Sequence, residues 1–256
     1  MSDHVSPDRL IVFFLVCAVS VSVSGRGQEA APDPGNSHLP FAGTNPEFTF
    51  TRIRYDSLPD RWGWGGPTWS HDYPRADAHL SRIVEDISTL TANIETTNVF
   101  TLDNPSIFGY PVIYISEPGF WHMSNAEVRG LRNYALKGGF LIFDDFEADQ
   151  WRNFSAQLGR ALPDQRLIEI DVNHPIFHAF FDLKTLDFPH PLVDVTPSYH
   201  ALFENNDPND RMMAIINYNN DVAEYWEWSD RGYFSVDFTN DAYKLGVNYI
   251  IYAMSH

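Results

Sequence analysis

The sequence predicts an α/β protein, a three-layer α/β/α sandwich with a mainly parallel sheet, and two observations lead to this fold class. Strand-like and helix-like segments alternate along residues 47–256, as in folds built from β-α-β units. The segment FLIFDDF, residues 140–146, is too apolar for a strand with one wet face and too short for a helix. It therefore suits a parallel strand that is covered on both faces.

The composition allows a sizeable core and argues against two classes of partner. With 256 residues, 44% hydrophobic and 15% aromatic, the chain can fill one generous domain, which we expect over residues 47–256. The formal net charge is −17 and the pI is about 4.7. Binding to duplex nucleic acid or to an anionic membrane surface requires clustered Lys and Arg. We therefore expect no nucleic-acid partner, and the acidic surface can serve solubility alone.

The N-terminal residues 1–25 have the pattern of an export signal. The apolar run LIVFFLVCAVSVSV is shorter than the ~20 residues that span a bilayer, and small residues Ser24 and Gly25 follow it. We expect cleavage there and a secreted or periplasmic protein that is not an integral membrane protein; a retained anchor is the alternative. Cys17, the sole cysteine, lies in this run. The mature chain would then have no thiol for a disulfide, a metal site or a nucleophile.

The first elements follow a flexible linker at residues 26–46, which is rich in Pro, Gly and small polar residues. FTFTRIRY, residues 48–55, has the β-branched and aromatic content of a strand. A helix is predicted from about DYPRAD onward, with Pro74 in its first turn. Its buried face has the spacing of one helical side: Leu80, Ile83, Val84 and Ile87.

The middle of the chain predicts a strand, a helix and a second strand. YPVIYISEPG, residues 110–119, is a strand that ends at a Pro-Gly turn. SNAE, Ser124 to Glu127, is a capping box at a helix start, and Gly138 is placed to end that helix. The buried strand FLIFDDF comes next.

The remaining elements continue the alternation. Asp149 is expected to cap a helix that Pro163 ends, with apolar residues inward at Trp151, Phe154, Leu158 and Leu162. RLIEID, residues 166–171, and MMAIINYN, residues 212–219, are predicted strands. AYKLGVNYIIYAMSH, residues 242–256, is predicted to be a mostly buried helix.

Polar side chains follow the predicted strands, and the carboxyl ends of parallel strands meet at one edge of a sheet, where ligands bind. The candidate ligand-binding residues are Tyr55, Asp56, Glu117, His122, Asp144 and Asp145, with Asp171 and His174 further along. Such a group could bind a divalent metal, transfer protons or hydrogen-bond a polyhydroxylated ligand. Each residue could instead cap a helix or hold a turn. Asp144 and Asp145 are expected to point to opposite sides of the strand end.

Other patterns carry weaker signals. The pair His174 and His178 has the i, i+4 spacing of metal ligands, but Pro175 and the lack of an intervening Glu argue against it. Trp62, Trp64 and Trp69 could stack on a sugar or simply form a rigid loop. The acidic and aromatic segment DVAEYWEWSD, residues 221–230, could cover the same edge. Nucleotide-binding, HExxH, CxxC, EF-hand and GxSxG motifs do not occur.

The ordered motifs FTFTRIRY, DYPRAD, YPVIYISEPG, LRNYALKGGFLIFDDF, HPIF and LGVNYIIYAMSH resemble a bacterial family, the domain of unknown function 4159 (DUF4159). The resemblance covers residues 48–256 and implies a flavodoxin-like fold similar to class I glutamine amidotransferases. It also implies an exported envelope protein. The recurrent EPG and DDF segments of the family correspond to residues 117–119 and 144–146. Amidotransferases of that class use a cysteine nucleophile, which the mature chain lacks, so we do not expect that activity.

The sequence leaves three functions open. The first is an exported, non-catalytic α/β domain that binds a small polar ligand or an envelope protein at the carboxyl edge of its sheet, with no cofactor required although a divalent metal is possible. The second is a hydrolase that acts on a glycan or a peptide through the acidic residues. The third is a purely structural envelope component.

Overall fold

A seven-stranded sheet lies at the centre of the computed structural model, which describes residues 47–58 and 66–256. Its strands, numbered along the chain, are β1 Thr51–Ile53, β2 Asn98–Phe100, β3 Val112–Ser116, β4 Phe140–Phe146, β5 Ile168–Ile170, β6 Ser198–Phe203 and β7 Met212–Tyr218. Their order across the sheet is β2-β1-β3-β4-β7-β6-β5. In this spatial order, the neighbouring strands β2, β1, β3, β4 and β7 all pair in parallel. Strand β6 runs antiparallel to both of its neighbours, β7 and β5. The predicted mainly parallel sheet is confirmed.

The strand order brings four strand ends together. The first four strands follow the order 2-1-3-4, which is also the start of the flavodoxin-like order. As a result β1, β3, β4 and β7 lie side by side, and their carboxyl ends meet at one side of the sheet, named here the carboxyl edge. This is where open parallel sheets bind ligands.

Helices connect the strands. The α-helices are α1 Arg75–Ile87, α2 Asn125–Leu136, α3 Trp151–Ala161, α4 Val222–Glu227 and α5 Val236–Ser255. Short 3-10 helices cover Thr68–Ser70, Pro105–Gly109, Ala148–Gln150, Pro175–His178 and Glu204–Asn206. Outside the central sheet, Glu47–Phe48 pairs with Thr91–Ala92 and Asp56–Ser57 pairs with Trp121–His122.

Two buried clusters define the outer layers. One cluster joins α1, α4 and α5 to sheet residues that include Tyr114 and Ile142. The other joins α2 and α3 to sheet residues that include Ile115 and Phe143. Because adjacent residues of β3 and β4 fall in different clusters, the strands alternate between the two helical layers. The three-layer arrangement agrees with the predicted fold class, and all seven residues of β4 are buried, as expected for a strand covered on both faces.

The predicted capping signals have mixed outcomes. The capping box of α2 is confirmed: the hydroxyl of Ser124 accepts from the backbone N–H of Glu127 at 3.2 Å, and the Glu127 carboxylate accepts from the Ser124 N–H at 2.8 Å. The predicted cap Asp149 is wrong, because it lies within a 3-10 helix and α3 begins only at Trp151. There the side chain of Gln150 accepts from the backbone N–H of Glu147 at 3.2 Å.

The bounds of other predicted elements differ from the sequence pattern. The predicted strand over residues 48–55 is interrupted, since only Thr51–Ile53 joins the central sheet. The C-terminal helix begins earlier than expected, at Val236, where the Ser235 hydroxyl accepts from the Phe238 N–H. Strand β2, antiparallel strand β6 and helix α4 had no predicted counterpart. Their short or mixed sequences lack a clear apolar period.

Several predictions fall outside the described residues and stay predictions. These are the export signal at 1–25 with Cys17, the linker at 26–46, and the roles of Trp62 and Trp64. Within the described part of the chain, none of the helices has both the length and the apolarity that crossing a bilayer would require.

Candidate functional site

Asp144, the first of the two adjacent aspartates of β4, holds neighbouring elements together. Its fully buried carboxylate accepts from the Tyr114 hydroxyl at 2.7 Å and the Asn217 side-chain amide at 2.9 Å. It also accepts from the backbone N–H groups of Val222 and Ala223 at 3.0 and 3.1 Å, at the start of α4. Burial raises the pKa of Asp144 to about 6, against the effect of these bonds. The carboxylate is fully used in linking β3, β7 and α4.

Asp145 occupies a β-bulge. The pairing of β4 with β7 passes from Phe143 opposite Ile216 to Phe146 opposite Tyr218, so β4 contains one residue more than its partner. Asp145 has a φ of 62°, in the left-handed region that non-glycine residues rarely adopt. Bulges of this kind redirect a side chain at the end of a strand.

The bulge places both aspartates on the same face of the sheet. Asp144 accepts from Tyr114, and Asp145 accepts from the hydroxyl of Ser116 at 3.2 Å. Tyr114 and Ser116 are two residues apart in β3 and therefore share a face, the one covered by α1, α4 and α5. The prediction that the two aspartates point to opposite sides is wrong, because the extra residue resets the alternation of the strand.

His71 and Asp72 approach Asp145 from the turn before α1. The Nδ1 atom of His71 lies 2.7 Å from Asp145 Oδ2, 3.8 Å from Glu117 Oε1 and 3.9 Å from Asp72 Oδ1. The Asp72 side chain has an exposed fraction of 0%, and among the described residues no N–H or hydroxyl group donates to either of its oxygens, so only the neighbouring carboxyl group of Glu224 can share a proton with it. An unpaired buried carboxylate is costly, so this group requires an explanation.

Arg52 of β1 fixes the turn that carries His71. Its Nη1 donates to the carbonyl oxygens of Trp69 at 3.1 Å and His71 at 2.8 Å. Its Nε and Nη2 donate to the Asp77 carboxylate of α1 at 3.2 and 2.6 Å. Arg52 and Asp77 are fully buried, and the guanidinium lies 4.9 Å from the ring centre of Tyr114. The buried ion pair of Arg52 and Asp77 therefore fixes the position of the His71 backbone.

Asp221 and Glu224 come from the start of α4. Both are buried, and Asp221 caps the helix by accepting from the Glu224 backbone N–H at 3.0 Å. One ligand atom each of His71, Asp145 and Asp221 lie within 4.8 Å of one another, and so do those of His71, Asp72 and Glu224. The two sets share His71. With Glu117 they form the acidic centre, defined as His71, Asp72, Glu117, Asp145, Asp221 and Glu224.

Glu117 follows β3 and has a strained backbone held from several sides. Its φ is 46°, its N–H donates to the carbonyl of Asp144 at 3.1 Å, and its carbonyl lies 2.7 Å from the Tyr55 hydroxyl. The Oε2 atom is buried and has no hydrogen-bond partner among the described residues. Positive φ also occurs at Asp72 and Asp145. Each such residue costs about 1–3 kcal/mol, and strain of this kind clusters at functional sites.

Four of the five carboxyl groups of the acidic centre have a raised pKa. Burial is the main cause that raises the pKa of Asp72, Asp221 and Glu224. Burial together with the charge of Asp145 raises the pKa of Glu117 to about 8. In the described part of the chain, the ion pairs of Lys and Arg involve none of the five carboxylates. Among the residues that the structure describes, His71 is thus the basic group paired with the centre.

His71 acts as the cation of the centre. Burial lowers the pKa of His71, but the hydrogen bond to Asp145 and the charges of Asp145, Asp72 and Glu117 outweigh it and raise the pKa to about 11. The side chain is 22% exposed, compared with 8% for Asp145 and 12% for Glu117. The centre can therefore be reached from solvent at His71, while its carboxylates lie deeper.

The structure brings only part of the predicted residues together. Glu117 and Asp145 belong to the acidic centre. Asp144 lies outside it and holds the start of α4, which supplies Asp221 and Glu224. Tyr55 is buried beside the centre, with its hydroxyl 2.7 Å from the carbonyl oxygens of Ser116 and Glu117, so it supports the backbone of Glu117. Asp56 and His122 are exposed and face each other in a two-residue pairing, outside the centre.

The later histidines also lie elsewhere. The Nδ1 of His174 accepts from the backbone N–H of Ile176, and its ring lies against Phe203 and Tyr252. His178 contacts Asp182 at 2.7 Å and the carbonyl of Val172 at 2.7 Å. Asp171 accepts from its neighbour Asn173. None of these three predicted residues joins the acidic centre, and the two histidines do not form a metal pair.

Ser116 is not arranged as a nucleophile. It is fully buried, and its hydroxyl donates to Asp145, which in turn binds His71. The carboxylate thus lies between the serine and the histidine. A catalytic triad needs the histidine between the serine and the acid, so the order here does not activate the hydroxyl.

Four residues of the centre were not predicted as a site: His71, Asp72, Asp221 and Glu224. His71 directly precedes DYPRAD and Asp72 is the first residue of that segment, whose helix signal accounts for an aspartate there without any ligand. The segment of residues 221–230 carries a visible excess of acids among aromatic residues, but only the fold places it against β4. The signal that the sequence offered for Asp221 and Glu224 was therefore an acidic residue in a segment with Trp and Tyr.

The comparisons with known proteins identify the family. A family model described as a domain of unknown function (DUF4159) matches residues 49–254, which includes all of the acidic centre. The search of curated proteins gave no match. Since the matched residues make up well over half of the chain, the protein belongs to the DUF4159 family.

Proposed function

We propose that this domain is a binding module whose acidic centre holds a divalent cation. The observation that carries the proposal is Asp72, a fully buried carboxyl group to which no N–H or hydroxyl group among the described residues donates. It lies in a set with His71 and Glu224 whose ligand atoms are within 4.8 Å of one another. A cation would satisfy the oxygens of Asp72 and balance the excess negative charge. Binding requires that His71 and the carboxyl groups release protons.

The ligand chemistry favours some cations over others. One imidazole with two or more carboxylates suits Mn²⁺, Fe²⁺ or Zn²⁺, whereas Ca²⁺ and Mg²⁺ prefer oxygen ligands throughout. Groups behind the ligands support their orientation. Ser116 donates to Asp145, and Arg52 binds the carbonyl of His71. Such supporting hydrogen bonds commonly accompany metal ligands.

Thermal unfolding with added cations tests the proposal. A cation at 100 to 1,000 times its dissociation constant should stabilise the protein by about 3–4 kcal/mol. Asp72→Asn should remove this stabilisation by Mn²⁺ or Zn²⁺. Asp56→Asn is the matched control, because it also removes one negative charge but at an exposed position. Lack of stabilisation by any divalent cation, or equal stabilisation of the Asp72→Asn variant, would refute the proposal.

A hydrolase acting on a glycan or a peptide is the second candidate, and Glu117 favours it. Its Oε2 is buried without a described hydrogen-bond partner beside the proposed ligands. A cation-bound water next to such a carboxylate is an arrangement used in metal-dependent hydrolysis. Cation-dependent product release from glycan or peptide substrates, lost in Glu117→Gln with cation affinity retained, would support the hydrolase over the binding module.

The leader pattern of residues 1–25 supports the proposal that the domain works outside the cytoplasm, alone or with an envelope partner. The mass of the protein purified from its own cells measures whether the leader is removed. A full-length cytoplasmic product would contradict export. Co-purification of the domain with proteins from an envelope extract tests whether it has an envelope partner.

A further inference from the structure

The outer surface of the α2 and α3 layer is basic, although the chain as a whole has a formal net charge of −17. The only acidic residue in the sequence of these two helices is Glu127, which is buried in the capping box. The exposed cationic side chains on or directly after the helices form the basic surface: Arg129, Arg132, Lys137, Arg152 and Arg160. Within the described residues, the ion pairs of Lys and Arg involve none of these five. The charge of the basic surface is therefore not balanced by carboxylates in contact with it.

Hydrogen bonds between the helices hold two of the guanidinium groups in the seam between α2 and α3. Arg132 of α2 donates from Nη1 to the carbonyl of Ala161 at 3.0 Å. Arg160 of α3 donates from Nη1 to the carbonyl of Met123 at 2.7 Å, and from Nη2 to Asn125 Oδ1 at 3.1 Å. The acceptors are uncharged. These hydrogen bonds therefore fix the guanidinium groups in place without cancelling their charge.

Arg129 and Arg152 lie on the sides of the helices that face away from the sheet. Arg129 precedes the buried Leu131 by two residues, and Arg152 precedes the buried Phe154 by two residues. Two residues correspond to a turn of about 200° around the helix axis, so both arginines are opposite the buried face. Both are exposed, and within the described part of the chain neither side chain has a hydrogen bond or an ion pair.

Two apolar side chains are exposed at the same surface. Leu136 is 50% exposed and follows Arg129 by about two helical turns, on the same side of α2. Phe108 is 45% exposed, and its ring centre lies 5.0 Å from the ammonium nitrogen of Lys137, the residue directly after Leu136. Exposed Leu and Phe beside Lys and Arg are typical of surfaces that lie in the headgroup region of a bilayer.

The acids of the opposite helical layer have little effect at the basic surface. The sheet and the α2 and α3 helices themselves lie between that layer and the surface, and one helix alone is about 10 Å across. Charges further apart than the Debye length, about 8 Å at physiological ionic strength, are largely screened. The net charge of the whole chain therefore does not determine which partner this surface attracts.

We propose that the basic surface docks on a bilayer that contains anionic phospholipids, with its cationic side chains at the phosphates and with Leu136 and Phe108 between the headgroups. A soluble polyanion would meet the charge but leave both apolar side chains in water, whereas the headgroup region takes up both kinds of group. The docking does not depend on the proposed cation site. Asp145 of the acidic centre lies on the other face of the sheet, under α1, α4 and α5.

Co-sedimentation of the full chain with lipid vesicles, in the presence of a chelator, tests the proposal. Vesicles of phosphatidylglycerol mixed with phosphatidylcholine should bind the protein more tightly than vesicles of phosphatidylcholine alone, and added salt should weaken the binding. The apolar run of residues 10–23 does not produce this preference, because the charged side chains around it are Asp3, Asp8 and Arg9 and carry no net positive charge. The difference between the two vesicle compositions therefore reports the basic surface.

A double substitution locates the binding. Arg129→Gln with Arg152→Gln should weaken binding to the anionic vesicles roughly 30-fold, because each lost base near an anionic bilayer contributes about a factor of five. Arg82→Gln with Arg231→Gln is the matched control, since it removes the same charge at exposed positions outside the basic surface. Arg129→Lys with Arg152→Lys keeps the charge and should keep the binding.

A third variant separates a bilayer from a soluble polyanion. Leu136→Gln should weaken binding to the anionic vesicles about tenfold, because the apolar side chain no longer enters the headgroup region. The same variant should leave any weak binding to polyglutamate or duplex DNA unchanged.

Each outcome decides a part of the proposal. Equal binding to both vesicle compositions would overturn it. Binding of the Arg129→Gln, Arg152→Gln variant that equals wild type would overturn the assignment to the basic surface, and so would equal losses in the control pair. Polyglutamate or DNA that binds as tightly as the vesicles at equal charge concentration, with Leu136→Gln unaffected, would identify a soluble polyanion as the partner and overturn the bilayer. None of these results alters the test of the cation site, because the chelator keeps that site empty.

Discussion

Substitution of Asp144 should affect stability far more than substitution of its neighbour Asp145. Asp144→Ala leaves the Tyr114 hydroxyl, the Asn217 amide and two backbone N–H groups of α4 without their acceptor in a buried place. An unsatisfied buried donor costs about 1–3 kcal/mol. With four donors affected and partial relaxation, we expect the free energy of unfolding to fall by about 4 kcal/mol.

Asp145→Asn should change stability by less than about 1 kcal/mol in the absence of a cation. The substitution weakens the hydrogen bond to His71, which destabilises. It also removes a charge that raises the pKa of Glu117, Asp72 and Asp221, which stabilises the remaining carboxylates. The two effects have opposite sign, so the net change in stability is small.

Urea unfolding of both variants at one pH measures this difference, with thermal unfolding as a check. For a chain of this size, 1 kcal/mol corresponds to about 2–4 °C in Tm, so Asp144→Ala should lose about 8–16 °C. An Asp144→Ala protein as stable as wild type, or an Asp145→Asn protein that is the less stable of the two, would refute the separation of roles.

Three further predictions concern stability. Without cations, the free energy of unfolding should fall as pH rises from about 4.5 to 8, because the folded-state pKa of Glu117 is raised to about 8 and the stabilisation is lost as pH passes that value. The fall is about 1.4 kcal/mol per pH unit for each extra proton that the folded state holds. Urea unfolding at several pH values measures this, and a rise in stability over the same range would contradict it. The raised pKa of His71 acts with the same sign above its ordinary value. Arg52→Met should cost about 3–5 kcal/mol by leaving Asp77 buried and unpaired, and Arg52→Met with Asp77→Leu should recover part of it in a double-mutant cycle; strictly additive losses would argue against the pair. Gly130→Ala should destabilise α2 because a Cβ there would overlap the Leu102 carbonyl oxygen, while Gly159→Ala in α3, which meets open space, should stabilise by about 0.5–1 kcal/mol; thermal unfolding compares them, and equal effects would contradict the packing.

The fold class was predictable because its signals are local. The apolar segment of β4 and the capping box of α2 depend on neighbouring residues only, and the structure confirms both. Strands β2 and β6 were missed because they are short and partly polar, and their pairing with distant strands stabilises them. Asp149 was a wrong cap because a glutamine side chain satisfies the turn instead.

The candidate site was predictable only in part. Glu117 and Asp145 follow buried strands, so the topology of a parallel sheet brings them to one edge. His71 and Asp72 reach that edge through a turn that Arg52 holds from the interior, and no spacing in the sequence encodes that contact. Asp56 and His122 also follow predicted strands, but they are exposed and lie outside the centre. The direction of Asp145 depends on one bulged residue, which alternation alone predicts wrongly.

The central claim is that the acidic centre binds a divalent cation, and anomalous diffraction from crystals soaked in Mn²⁺ tests it most directly. We predict one strong peak about 2.0–2.3 Å from a nitrogen of His71 and from carboxylate oxygens of the centre, with Asp72 among the ligands. The peak should be absent in Asp72→Asn crystals. A wild-type crystal with no peak at His71, or with its peaks only at exposed acidic side chains, would contradict the claim.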